Sequence, residues 1–287
     1  MTFIFKKTPH YATHIEEVAK ANDQLCFYLF ADAELESQIS PFENTKSKEL
    51  TPAIFPTNPY SHKIRVTIEA LSRFRAKQRS QTLGMSFSFV VEHLLIYIER
   101  VLTYWSHVNK FSIELKSSIP IEEHLSAYYL KYSKNALDQK LIQTIKYLRL
   151  RRNNFIHVAK SPGSELEKSL RYDAPGLQKY WEERTELPGV QFSSSKVGEF
   201  GSDECISLIK ISRICINDID MAIAKNINVR STVEEMHREI LRRNSGLNQH
   251  NVGSYQKQVR KVRVLIQVIH GVEVTEKQVA ELLDITL

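Results

Sequence analysis

The sequence has few cysteines and no long hydrophobic run. Its three cysteines, Cys26, Cys205 and Cys215, contain no C-x-x-C pair, so a disulfide framework is not expected and a reducing, cytoplasmic compartment fits best. The most apolar stretch, Met85 to Trp105, is interrupted by charged side chains such as Glu92, whereas a membrane span needs about 20 nearly uncharged residues. We therefore expect a soluble protein with no membrane-spanning helix and no signal peptide.

The common catalytic and phosphate-binding motifs are also missing. The sequence contains no H-E-x-x-H, G-x-S-x-G, G-x-G-x-x-G or Walker-type Gly-Lys-Ser/Thr pattern, which excludes the enzyme classes that these motifs define. His10 and His14 are four residues apart and could share a helix face, but no cysteine or third ligand stands near them. No metal site and no cofactor is therefore predicted.

The sequence does contain clusters of positively charged residues. The chain has 39 Lys and Arg against 33 Asp and Glu, a formal net charge of +6. From Lys131 to Ser164, eight basic residues accompany a single acid, Asp138. Such clusters bind polyanions through phosphate contacts and the release of counterions. Because this cluster also contains His157, it is the one most expected to contact nucleic acid.

Hydrophobic periodicity predicts an all-α fold. Helices are predicted over 14–36, 86–105, 121–132, 135–158 and 203–226, with three shorter ones within 231–287. Prolines predict an irregular connection over 38–61, and the segment 64–79 fits a strand or a helix, with the helix favoured. The segment 162–201 is predicted to be a long loop with a short helix near 177–184.

These elements suggest three consecutive segments. A helical bundle is predicted over 61–230, including the long loop 162–201. It is preceded by an N-terminal helix with a proline-rich connection, 1–60, and followed by a C-terminal helical segment, 231–287.

The segment Arg151-Arg152-Asn153-Asn154-Phe155-Ile156-His157 combines the side chains that metal-free RNA cleavage requires. Histidine exchanges a proton near neutral pH, and arginine supplies permanent charge in a forked geometry that matches phosphate. On a continuous helix Asn153 and His157 share a face, while Arg152 and His157 lie about 140° apart. Either the arginine reaches round, or the helix bends, or a second subunit completes the site.

Arg152-Asn153-x-x-x-His157 resembles the signature of the HEPN superfamily, an arginine usually followed by a polar residue and then by a histidine. The resemblance covers roughly 61–230 and implies a HEPN-like helical bundle that forms a homodimer. It implies metal-independent RNA cleavage at the dimer interface, with a 2′,3′-cyclic phosphate product. Arg152 and His157 would be catalytic, and Asn153 would be their polar companion. Arg151, which is separated from His157 by five residues, also fits the motif and is a second candidate for the catalytic arginine.

The same resemblance implies a cellular role and possible partners. Many HEPN members are toxins or effectors of phage defence and stress responses, so an antitoxin or regulatory protein is a possible partner besides RNA. From the charge pattern, the side chains expected to hold the RNA backbone are Lys146, Arg149 and Lys160. Glu92 and Glu99 lie seven residues apart on one helix face, and either could pair with Arg151 or Arg152, because a buried carboxylate is costly without a partner.

Two other functions fit parts of the sequence. A non-catalytic HEPN-like helical module would bind nucleic acid or a partner protein without cleaving RNA. A DNA-binding regulator would use the C-terminal helices, but the chain ends before a recognition helix could follow Val274–Leu287. We therefore expect an endoribonuclease first and a binding module second.

Overall fold

The structure, a computed structural model, describes residues 3–157, 162–186, 188–194, 196–245 and 255–284. It confirms the all-α fold class, because in these ranges the only extended pairing is an isolated antiparallel bridge between Leu50 and Thr67. No helix within them is both long enough and apolar enough to cross a membrane.

Twelve α-helices make up the described chain. They are α1 (Tyr11–Glu43), α2 (Thr51–Ile54), α3 (Ser61–Ile64), α4 (Ile68–Asn109), α5 (Ile121–Ser133), α6 (Gln139–Ile156), α7 (Ser164–Lys168), α8 (Ala174–Arg184), α9 (Ser202–Ala224), α10 (Val229–Ser245), α11 (Tyr255–His270) and α12 (Glu276–Leu282). A π-helical turn, Ser169–Asp173, joins α7 to α8.

The strongly periodic helices lie where the sequence predicts them. α5 and α9 match their predicted segments closely, and α10 to α12 confirm the three shorter helices predicted for 231–287, although α10 begins slightly earlier, at Val229. α6 starts at Gln139, slightly later than predicted, and its predicted apolar stripe is buried at Leu141, Ile145 and Leu148. Leu137, the first residue predicted for that stripe, precedes the helix and is half-buried.

One prediction about an irregular segment near the N-terminus is wrong, and the helix favoured for 64–79 is confirmed from Ile68 onward. α1 continues through Pro41 to Glu43, so the predicted connection over 38–61 begins later than expected. Pro41 lies in the last turn, where its missing N–H removes only one helical hydrogen bond. In the ambiguous 64–79 segment, α4 begins at Ile68 and runs without interruption to Asn109.

In the predicted long loop over 162–201, the short helix expected near 177–184 is confirmed by α8, but the non-helical prediction for 164–176 is wrong. Residues 164–184 are helical, and Leu166, Leu177 and Trp181 are almost completely buried. These apolar side chains are widely spaced between Pro-Gly pairs, so their helical pattern was hidden by the turn residues. The described residues between Thr185 and Gly201 are not helical, so this non-helical part is correspondingly short.

Contacts divide the chain into two compact units, each built from separated stretches. One comprises 1–16, 93–145 and 213–287, and the other comprises 17–92 and 146–212. The core of the first includes Tyr97, Trp105, Leu125 and Ile219, and that of the second includes Leu25, Phe87, Leu148, Trp181 and Leu208. The segment from Arg151 to His157 belongs to the second unit. The sequential segments 1–60, 61–230 and 231–287 stay a prediction.

Candidate functional site

A glycine brings α4 into close contact with the part of α6 that carries the motif. A Cβ atom added to Gly84 would lie 2.2 Å from the ring of Phe155. Real Cβ atoms do not approach other atoms so closely, so a side chain at position 84 would require the Phe155 ring to shift. The absence of a side chain at Gly84 therefore allows Phe155 to pack directly on the backbone of α4 and fixes the motif against it.

Arg151 is a buried structural residue. Its side chain is 1% exposed and forms an ion pair with Glu204, at 2.7 Å between Nη1 and Oε1. Its guanidinium also donates to the Tyr147 hydroxyl and to the carbonyl oxygens of Val197 and Glu199. The Phe200 ring lies 4.5 Å from the guanidinium carbon. With all of its nitrogens bonded and almost no exposed surface, Arg151 is not positioned to meet a substrate.

Arg152 lies at the surface and has two partners in the second unit. Its Nη2 donates to Glu92 Oε2 at 2.6 Å, and its Nη1 donates to Asn153 Oδ1 at 3.0 Å. The side chain is 26% exposed. Its Nε is buried and has no hydrogen-bond partner among the described residues. Of the two expected acids, Glu92 is therefore the one paired with an arginine, while Glu99 is exposed further along α4.

Asn153 and His157 border one surface groove. The His157 amide donates to the Asn153 carbonyl oxygen at 3.0 Å, which continues the helical turn beyond Ile156. The groove has a volume of about 320 Å³. It is lined by Leu150, Asn153, Asn154, His157, Gly163, Ser164, Glu165 and Leu166. The His157 side chain is exposed at its edge, so it is open to solvent and to a ligand.

Two of the three predicted RNA-binding residues are described. Lys146 and Arg149 are half-buried on α6, and their spacing of seven and four residues from Asn153 places them on its face of the helix. Lys160 lies outside the described residues. A stripe of basic side chains on α6 thus leads to the groove at His157.

The structure brings together some of the expected residues and separates others. Arg152 contacts both Glu92 and Asn153, and Asn153 shares the groove with His157. Arg151 points to another part of the unit, towards Glu204. Sequence reasoning missed Glu204, which is 53 residues from Arg151 and has no spacing pattern that marks it. It also missed the contribution of Ser164 and Glu165 to the groove, because that segment was expected to be a loop.

No group of three or more His, Cys, Asp or Glu side chains that could hold a metal ion is found within the described ranges. No protein-family model matches the chain, and no curated protein or solved structure is significantly similar to it. The site is therefore interpreted from its own geometry.

Proposed function

We propose that the protein is a metal-independent endoribonuclease of the HEPN type that acts as a homodimer. The observation that carries this proposal is the position of Asn153. Its side-chain oxygen holds Arg152, and the same side chain borders the groove at which His157 is exposed. Asn153 thus connects the arginine and the histidine of the motif, although the two point in different directions on the helix.

Arg152 is suited to stabilise the phosphate of the transition state. Glu92 and Asn153 hold two of its nitrogens, so the planar guanidinium is fixed before substrate binds. The side chain is 26% exposed, and a cation that is held in place before the reaction stabilises developing negative charge without reorganisation. Arg151 cannot take this role without breaking its buried ion pair with Glu204.

His157 is the proposed proton-transfer residue. In the proposed reaction the ribose 2′-oxygen forms a bond to phosphorus and the bond to the 5′-oxygen breaks. His157 accepts the 2′-hydroxyl proton, and a protonated histidine returns a proton to the leaving 5′-oxygen. The products are a 2′,3′-cyclic phosphate and a free 5′-hydroxyl. Lys146 and Arg149 would contact the phosphates on either side.

The proposal of a homodimer is supported by exposed apolar side chains beside the arginine. Met85 and Phe89 are exposed on α4, on the same helical face as Glu92, and Ile156 is exposed one turn after Arg152. Exposed apolar side chains grouped around a functional ion pair are typical of an interaction surface. A second copy on this surface would bring its own His157 to the site and supply the second histidine that the reaction uses.

The cellular role that we propose follows from this activity. An unrestrained endoribonuclease stops growth, so the protein is proposed to act as a toxin or as an effector of phage defence or stress, under the control of a regulatory partner.

Cleavage of labelled single-stranded RNA and transfer RNA in excess EDTA tests the proposal. Wild-type protein is expected to cut in EDTA and to leave 2′,3′-cyclic phosphate ends, and His157→Ala is expected to abolish the cut. His62→Ala is the matched control, because His62 is also exposed and belongs to the same unit. Equal cleavage by wild type and His157→Ala would refute the assignment. RNA binding without any cleavage would favour the non-catalytic module.

A further inference from the structure

The described residues that line the groove beside His157 include no group that would attract a phosphate. Among the described residues that line it there is no lysine or arginine, and Glu165 adds a negative charge at its rim. Phosphates are bound by cations and by positive fields. This described lining therefore suits a part of the substrate other than its backbone, and in RNA the uncharged part next to the scissile bond is the base.

The lining of the groove matches a flat heterocycle with a polar edge. Leu150 and Leu166 are buried apolar side chains on its walls. Its polar side chains include Asn154, Ser164 and Glu165. Sites of this kind hold the apolar faces of a ligand with aliphatic side chains and fix its orientation with a few hydrogen-bonding groups.

Asn154 supplies an unsatisfied acceptor in this groove. The residue is 8% exposed, and its Oδ1 is buried without a hydrogen-bond partner in the described part of the chain. Buried polar atoms are almost always paired, so an unpaired one calls for an explanation. The terminal torsion of asparagine has a broad energy profile, so the amide can turn its oxygen towards a bound group that carries an N–H donor.

We infer that the groove binds an adenine base adjacent to the scissile phosphodiester, and that Asn154 recognises the adenine amino group. Asparagine pairs with adenine through two hydrogen bonds, one accepted from the N6 amino group and one donated to N7. The Glu165 carboxylate also only accepts hydrogen bonds when ionised, so it suits a donor on the base edge such as the adenine amino group. This inference rests on the proposed function, because it assigns the base specificity of the same site.

Fluorescence anisotropy with short labelled single-stranded RNA tests the inference. The RNA carries 2′-fluoro groups in place of 2′-hydroxyls, so it binds but cannot be cleaved, and its central base is adenine, inosine, cytosine or uracil. Inosine is the matched ligand, because it differs from adenosine by a carbonyl in place of the amino group. Wild-type protein is expected to bind the adenine RNA about tenfold more tightly than the inosine RNA.

Two substitutions separate recognition from folding. Asn154→Leu has a similar shape and no acceptor, so its affinities for the adenine and inosine RNAs should become equal. Its affinity for the inosine RNA should match that of wild type, which is an internal control for folding. Asn154→Asp retains an acceptor and is expected to keep part of the preference, and this variant serves if the leucine variant does not fold.

Any of four outcomes would overturn the inference. In the first three, the wild type binds adenine and inosine RNA equally, binds cytosine or uracil RNA more tightly, or binds no RNA at all. The fourth is an adenine preference that persists in Asn154→Leu. Cleavage of an all-ribose RNA in EDTA, measured in parallel, tells the two proposals apart. Cleavage without adenine preference removes the base-recognition inference and leaves the ribonuclease. If the protein neither binds nor cleaves RNA, both the base-recognition inference and the ribonuclease proposal are rejected.

Discussion

Arg151 and Arg152 are neighbours in the sequence but occupy opposite environments. The Arg151 side chain is 1% exposed and paired with Glu204, whereas the Arg152 side chain is 26% exposed and paired with Glu92. Successive residues of an α-helix point about 100° apart, so one arginine enters the core of the second unit while the next stays at its surface. The sequence leaves both arginines open as the arginine of the motif, but only Arg152 lies at the surface of the structure.

Arg151→Ala is expected to destabilise the protein strongly. The substitution leaves Glu204 unpaired with its side chain only 11% exposed, and removal of one partner from a buried ion pair costs about 3–5 kcal/mol. Urea unfolding measures the loss. Arg171→Ala is the control, because Arg171 is exposed in the turn between α7 and α8, and its stability should change by less than about 0.5 kcal/mol. A similar free energy of unfolding for both variants would contradict the structural role of Arg151.

Arg152→Ala is expected to give the opposite result. Its ion pair with Glu92 is half-exposed, and such pairs contribute about 1 kcal/mol or less, so the fold should be retained. RNA cleavage should fall by about 100-fold or more, as expected when a donor to transition-state charge is removed. Arg152→Lys keeps the charge without the forked geometry and should be intermediate. Full activity of Arg152→Ala at unchanged stability would require a different catalytic arginine.

Gly84→Ala tests the contact between α4 and α6. Alanine is favoured over glycine within a helix by about 1 kcal/mol, but the added Cβ would lie 2.2 Å from the Phe155 ring. Because overpacking of this kind costs about 1–3 kcal/mol, we expect net destabilisation in thermal or urea unfolding. Combining it with Phe155→Leu should recover part of the loss, since the smaller side chain leaves room. Gly198→Ala is the control, because a Cβ there would meet no atom within 4 Å.

If Gly84→Ala is as stable as wild type, the two helices do not approach as closely as this packing requires. Non-additivity of the Gly84 and Phe155 substitutions would locate the effect in their contact.

The sequence predicted the helices whose apolar residues repeat at intervals of three and four, such as α5, α6 and α9. It did not predict that α1 would continue through Pro41, nor that 164–176 would be helical, because local turn residues were outweighed by tertiary burial of Leu166 and Ala174. The motif residues could be chosen from residue chemistry and spacing. The buried role of Arg151 could not, since its partner Glu204 comes from α9 and depends on how the helices pack.

Acid is expected to destabilise the first unit through His270. Its Nδ1 lies 2.9 Å from the Lys7 carbonyl oxygen, and its ring stacks on Phe5. Burial lowers the pKa of His270 to about 4. A lowered pKa means that the folded state prefers the neutral ring. The stabilisation is therefore complete above the unfolded pKa of about 6.5 and is lost as the pH falls towards 4, by up to about 3 kcal/mol.

Urea unfolding between pH 7 and pH 4 measures this loss. His270→Gln should lower the free energy of unfolding at pH 7 but show a shallower decline with acid. Part of the decline should remain, because burial and the nearby Arg100 lower the pKa of His14 to about 4 as well. His62→Gln, at an exposed position, should keep the wild-type pH dependence. An unchanged slope in His270→Gln would show that the ring does not titrate in this window.

Lys146 and Arg149 are expected to bind RNA through its phosphates and not through its bases. Both lie on the face of α6 that leads to Asn153 and His157. Each contact with a single-stranded phosphate releases counterions and contributes about 0.7 to the slope of log affinity against log salt concentration. The double substitution Lys146→Ala and Arg149→Ala should therefore reduce that slope by about 1.4 and weaken all RNA sequences alike. Lys179→Ala on α8, whose side chain is 80% exposed and pairs with Glu183, should leave the slope unchanged. A sequence-dependent loss of affinity in the double variant would instead place these side chains against the bases.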